Sequence, residues 1–206
     1  AKKPTETVKY SDAIIEKADG GTIISSAVTF LDLGLKTTFS GANTTFIKLS
    51  VGGTDLVTIN GCKCFNTNSN LTAFISGDNN SNRPLKVLNS VFELQTTTTY
   101  GAVLIAYTYG SFGDTTFNNC TFKLVGGTST SFLGGGKYTT SVRTTKNCIF
   151  VGDSGSETIY TDSIGTIVDN NNCYHTTAHS GGTDNVFADP LFVDSANGDY
   201  RLRPNS

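Results

Sequence analysis

The side chains that could do chemistry in this sequence are few. Lys137 and Arg143 lie close together in the chain. A lysine or arginine beside a uronate can take a proton, while a calcium ion or a second cation neutralises the carboxylate, and a polysaccharide lyase needs little more. Asp114 and Asp162 are the conceivable calcium ligands for such a site, and the reading implies no other cofactor. Solvated loop charges are the alternative for all four residues, and it stays open. Hydrolysis of a glycosidic bond normally needs two carboxylates flanking it, and the sequence has no Asp-Asp, Asp-x-Asp or Glu-x-Asp pair. His175 and His179 sit four apart without a third ligand, too little for a zinc site.

The tyrosines suggest a different task. Tyr107, Tyr109, Tyr138 and Tyr160 recur along the second half of the chain, and Tyr107 and Tyr109 share one face of a strand. Exposed tyrosines make flat apolar platforms with a hydroxyl at the rim, which suits a sugar ring. These four are the candidate substrate-binding residues. Inward packing of some of them is the competing expectation.

Something must bring such residues together, and the sequence supplies it as a repeat. Ile59–Cys64, Val87–Phe92, Phe117–Phe122 and Thr145–Phe150 align without gaps, and Asn170–His175 reads as a fifth, weaker copy. Taking Cys62, Ser90, Cys120, Cys148 and Cys173 as the marker, the steps are 28, 30, 28 and 25 residues. The position before the marker is Gly61, Asn89, Asn119, Asn147 and Asn172, the residue types that enter the left-handed region at least cost. The marker itself is small. Two residues on come Cys64, Phe92, Phe122 and Phe150, on the same face at strand period.

A further strand recurs about a dozen residues later, as Ala73–Ile75, Val103–Ile105, Ser131–Leu133 and Thr158–Tyr160. Three short strands per coil describe a parallel β-helix, a solenoid in which each coil covers its neighbour. The expected fold class is therefore all-β, a single-stranded right-handed parallel β-helix. One domain spans residues 1–206, with an N-terminal cap at 1–20, coils at 21–177 and a C-terminal tail and cap at 178–206. Ser11 to Ala18 is expected to form a short capping helix with Ser11 as N-cap. Tyr200 to Pro204 reads as a last strand, the C-terminal end being covered by the loop from Ala178 to Asp189 or by a removed domain.

Composition agrees. The chain has 206 residues, only 16% of them charged, with 22 Gly, 13 Phe and no Trp. Charged helix formers are too scarce for a helical bundle, whereas Thr, Ser, Asn and Gly favour strands and turns. A net charge of -2 without a basic run leaves no electrostatic footprint for nucleic acid, and no apolar run approaches a membrane span. A regular outward threonine column, as ice binding would require, is interrupted: four before the marker stand Thr58, Lys86, Thr116, Thr144 and Asp169.

Asp12 to Ile23, the asparagine-cysteine motifs and the ending Phe187 to Leu202 together resemble the pectin-lyase-like right-handed β-helix family, in particular its secreted bacterial repeat proteins. The resemblance covers nearly the whole chain and implies fold more than activity. Glycoside hydrolases of that fold resemble one another in Asn-Thr-Asp, Asp-Asp and Gly-His-Gly motifs, which are missing here. A pectate-lyase-type Trp-x-Asp-His pattern is impossible without Trp. The expectation is a secreted or cell-surface module that binds a polysaccharide or surface glycan without a clear catalytic site. A lyase acting on a uronate-containing glycan is the first alternative, and a structural or adhesin protein stacking through its β-helix end is the second. A monomer is expected, and membership of a larger chain stays open.

Overall fold

The computed structural model describes residues 14–17, 22–24, 28–37, 44–49, 54–66, 71–77, 83–95, 101–106, 113–125, 131–134, 141–161, 165–178 and 182–204. Short runs of alternating apolar and polar residues, each closed by a turn, can bury one face only by stacking on copies of themselves. The described chain does so in three parallel sheets, which it visits in rotation. Sheet A holds β1 (Ile14–Lys17), β4 (Gly34–Thr37), β7 (Lys63–Asn66), β10 (Val91–Leu94), β13 (Thr121–Leu124), β16 (Ile149–Val151), β19 (Cys173–His175) and β20 (Val186–Phe187). Sheet B holds β2 (Thr22–Ile24), β5 (Thr44–Leu49), β8 (Leu71–Gly77), β11 (Gly101–Ala106), β14 (Ser131–Gly134) and β17 (Thr158–Thr161). Sheet C holds β3 (Val28–Leu31), β6 (Val57–Asn60), β9 (Leu85–Leu88), β12 (Thr115–Asn118), β15 (Val142–Lys146) and β18 (Thr166–Asn170). This is a parallel β-helix.

The expected ladders are present. Cys62, Ser90, Cys120 and Cys148 are buried, as are Cys64, Phe92, Phe122 and Phe150. Phe92, Phe122, Phe150 and Tyr174 stack ring on ring, with centroids 5.3, 4.8 and 5.4 Å apart. That spacing follows the separation of adjacent strands, so each ring meets the next without leaving its rung. Asn89, Asn119 and Asn147 have φ of 50°, 55° and 53°, the left-handed bends that the repeat calls for, and Gly61 has 66°.

The structure corrects the reading at three places. Ile14–Lys17, expected inside a capping helix, is strand β1, paired in parallel with Gly34–Thr37; two adjacent β-branched isoleucines suit this rung better than a helix. Ser11, Asp12, Ala13 and Ala18, the rest of that expected helix, lie outside the described residues.

The fifth copy is shifted by one. Cys173 pairs with Ile149, the left-handed bend is Asn171 (φ 55°), and Asn172 occupies the marker column. The shift also puts Val168 rather than Asp169 opposite Thr144 in the outward column.

The third correction concerns the tail. β20 within the 178–189 loop pairs with β19 and forms a rung of its own, with Val186 and Phe187 exposed. The expected last strand is β22 (Asp199–Leu202), antiparallel to β21 (Phe192–Asp194) in a separate two-stranded sheet. A 3-10 turn at Ser195–Asn197 joins them, closed by Gly198 at φ 77°. This hairpin reaches the outer side of sheet A. The Tyr200 hydroxyl donates to Glu93 Oε2 at 2.6 Å, and Lys123 Nζ donates to the Ser195 carbonyl at 3.4 Å. The ammonium groups of Lys63 and Lys123 lie 6.0 and 5.6 Å from the Tyr200 ring centroid. One short hairpin thereby ties together three successive rungs.

Phe122 is fully buried and touches Phe92, Phe117 and Phe150. Phe122→Ala should therefore lower unfolding stability by about 3–5 kcal/mol, read from the denaturant midpoint at unchanged slope. A loss near zero would mean the ring does not bridge the rungs.

Candidate functional site

Sheet C carries Arg143 and, in its last rungs, a buried polar centre. Its core-facing column runs Phe30, Ile59, Val87, Phe117, Thr145, Asp169, apolar through the first rungs and polar in the last two. Asp169 is a buried carboxylate. Its Oδ1 accepts hydrogen bonds from Thr145 Oγ1 at 2.8 Å, from the Tyr174 hydroxyl at 2.6 Å and from the Asn172 amide. Its Oδ2 accepts from Asn185 Nδ2 at 3.3 Å. Asn172 extends the network, since its Oδ1 accepts from Cys148 N–H at 2.7 Å and its own N–H donates to Asn185 Oδ1 at 2.8 Å.

Thr145 has one hydroxyl proton, and Asp169 takes it. The Tyr160 hydroxyl, 2.7 Å from Thr145 Oγ1, is therefore the donor in that contact. Burial pushes both Tyr160 and Tyr174 above the usual phenol range, with the Asp169 charge adding to it. Both phenols stay protonated and serve as donors. This cluster holds the last coils in place, because removing the carboxylate would strand several buried donors at about 1–3 kcal/mol each.

The expected chemical residues meet it at the corner between sheets B and C. Arg143 occupies the column that Val57, Leu85 and Thr115 fill with buried side chains. It is half-buried, and burial lowers the pKa of its guanidinium, an effect the nearby Tyr160 partly offsets. Among the described residues Arg143 has no ion pair. Asp114 is exposed on the preceding coil, its Oδ1 accepting from the Val142 N–H at 2.9 Å. Tyr160 is half-buried, its ring against the core and its hydroxyl turned to Thr145. The structure thus brings Asp114, Arg143 and Tyr160 to one corner. Lys137, Tyr107, Tyr109, Tyr138 and Asp162 lie outside the described residues. Among the described residues no three His, Cys, Asp or Glu gather closely enough to hold a metal ion.

The outer side of sheet C is an array. Thr29, Thr58, Lys86, Thr116 and Thr144 form one outward column, and Asn60, Leu88, Asn118, Lys146 and Asn170 form the next. At the corner toward sheet A the amides run on from coil to coil. Asn89 Nδ2 donates to Asn60 Oδ1 at 2.9 Å, Asn119 Nδ2 to Asn89 Oδ1 at 3.3 Å, and Asn147 Nδ2 to Asn118 Oδ1 at 3.5 Å. Hydroxyls and amides therefore recur along the helix axis one or two strand spacings of about 4.8 Å apart, with Lys86, Leu88 and Lys146 between them.

Sequence reasoning missed Asp169 and Asn172 as a polar centre, because a fifth copy aligned on Cys173 falls one residue late. In the correct register, an apolar column that turns to threonine and then aspartate in its last two rungs is itself the signal. Glu157 was missed too. Its carboxylate accepts from the N–H groups of Asp153 (3.1 Å), Ser154 (2.8 Å) and Gly155 (3.0 Å), and from Ser154 Oγ (3.0 Å), stapling the turn between β16 and β17. No short motif announces that arrangement.

Burial alone would raise the Glu157 pKa, but these bonds outweigh it and hold the group below its ordinary 4.5. A depressed carboxyl stabilises the fold fully above its unfolded value and loses that contribution as pH falls through the folded one. The chain should therefore lose stability to acid below pH 4.5, and Glu157→Gln should flatten that part of the pH profile measured by thermal melting. An unchanged acid slope in the variant would rule out the staple as its source.

No protein-family model matches the chain, and no curated protein or solved structure matches it. Among the described residues no helix is long and apolar enough to cross a membrane.

Proposed function

We propose that the chain is a secreted or cell-surface β-helix module that binds an extended carbohydrate along the outer side of sheet C, without acting on it chemically. One observation carries this reading: the outer side of sheet C presents threonine hydroxyls and asparagine amides from most of its coils, with Lys86, Leu88 and Lys146 standing among them. A linear glycan offers hydroxyls at regular intervals. A rigid ladder of donors and acceptors can meet several of them at once without first ordering a loop. The resemblance to pectin-lyase-like proteins supports the same reading. Tyr107, Tyr109 and Tyr138 remain proposed sugar platforms, and Arg143, on the inward column beside Asp114 and Tyr160, would meet a uronate only under the lyase reading.

Titration with a panel of neutral and uronate-containing polysaccharides tests this. Saturable binding to at least one is expected, and Thr116→Val, which swaps a hydroxyl for a methyl, should weaken it about three- to tenfold, as for loss of one neutral hydrogen bond. No binding to any glycan, or binding indifferent to both Thr116→Val and Thr144→Val, overturns the proposal. Release of an unsaturated product, abolished by Arg143→Ala, would make the chain a lyase instead.

A further inference from the structure

The sequence contains two asparagine–glycine pairs, Asn60–Gly61 and Asn197–Gly198, and the fold treats them very differently. An asparagine followed by glycine is prone to lose its amide, because no Cβ on the next residue crowds the attacking nitrogen. The Gly backbone nitrogen bonds to the asparagine Cγ, the Cγ–Nδ2 bond breaks, and ammonia leaves. Water then opens the resulting five-membered imide at either carbonyl, giving aspartate or isoaspartate. The sequence of steps needs water and no oxidant.

Asn60–Gly61 is locked between coils. Gly61 N–H donates to the Leu88 carbonyl at 3.1 Å, the Asn60 carbonyl accepts from Asp32 N–H at 2.9 Å, and Asn60 Oδ1 accepts from Asn89 Nδ2 at 2.9 Å. Turning the Asn60–Gly61 peptide toward the Asn60 side chain means breaking its bonds to the rungs on both sides. Asn197–Gly198 closes the tip of the C-terminal hairpin, where Asn197 is exposed. Gly198 N–H donates only to the Ser195 carbonyl, at 3.3 Å, inside a single 3-10 turn. The Asn197 side-chain amide is held by Asp194 Oδ2 at 2.7 Å, and its N–H by Asp194 Oδ1 at 3.3 Å. Fraying one exposed turn costs far less than opening a central coil.

We propose that Asn197 is a site of spontaneous deamidation in the folded protein, that Asn60 is protected, and that conversion of Asn197 loosens the hairpin from sheet A. The new carboxylate faces Asp194, which until then accepted two hydrogen bonds from the same residue. Repulsion replaces the side-chain bond to Oδ2, leaving only the longer bond from the Asn197 backbone N–H, and isoaspartate also lengthens the backbone at the turn. The displaced tip carries Ser195, whose carbonyl receives Lys123, and leads directly into Tyr200, whose hydroxyl meets Glu93.

The test is prolonged incubation of the intact chain at mildly alkaline pH, with peptide mapping by mass spectrometry. In the native protein Asn197 should convert on the order of tenfold or more faster than Asn60, and in denaturant the two should convert at similar rates. Equal native rates, or a native Asn197 as slow as Asn60, would overturn the proposal. Asn197→Asp should speed hydrogen exchange over Asp199–Leu202 while leaving Val91–Leu94 and Thr121–Leu124 unchanged. Unaltered exchange in the hairpin would overturn the claim that conversion loosens it.

Discussion

Each coil must leave sheet C and enter sheet A within two residues, and the whole molecule depends on how that corner is turned. An ordinary L-residue enters the left-handed region at a cost of roughly 1–2 kcal/mol, glycine at almost none, and asparagine or aspartate with local hydrogen bonding to help. Asp32, Gly61, Asn89, Asn119, Asn147, Asn171 and Asp184 take that conformation in turn. Most of these corners also bond to the coil above. The N–H groups of Asp32, Gly61, Asn89, Asn119, Asn147 and Asn171 donate to the carbonyls of Asn60, Leu88, Asn118, Lys146, Asn170 and Thr183 at 2.9–3.3 Å. The bend is thus a ladder in its own right, and it keeps the sheets on either side in register.

Register then decides the rest. With the corner fixed, the next residue points inward and is small or able to hydrogen-bond from Cys62 through Asn172, with Leu33 the exception at the first corner, and the one two further on meets its counterparts above and below. Cys62 N–H donates to Ser90 Oγ at 3.1 Å, and Cys148 N–H to Asn172 Oδ1 at 2.7 Å, so a polar marker side chain caps the coil beneath it. The aromatic stack from Phe92 to Tyr174 is the apolar consequence of the same alignment. The outward threonines and asparagines line up for no other reason, so the proposed glycan surface is a by-product of the corner rather than an independent feature.

How far the sequence could be read follows from this physics. Where bend, marker and aromatic occur together, as at Asn119–Cys120–Phe122, the repeat announces itself. In Asn170–Asn171–Asn172 three residues can each take the bend, and Cys173 imitates the marker, so local chemistry leaves the register undetermined. The pairing of Cys173 with Ile149 resolves it. Asp32–Leu33 escapes notice because leucine replaces the small marker, although Asp32 bends like the asparagines (φ 52°). The site was less legible. Asp169 gathers donors from β15, β19 and the 182–185 segment, contacts set by long-range stacking that no short motif encodes. The lateral hairpin depends on Tyr200 meeting Glu93, 107 positions away.

Thiol accessibility tests the inward-facing corner most directly. Cys62, Cys64, Cys120 and Cys148 are buried, while Cys173, on the outer side of sheet A, is partly exposed. Maleimide labelling of the native chain, followed by mass spectrometry, should modify Cys173 while sparing the other four, and all five should react once the chain is unfolded. Native labelling of Cys120 or Cys148 as fast as Cys173 would place the marker column outside and contradict the stacked-coil account.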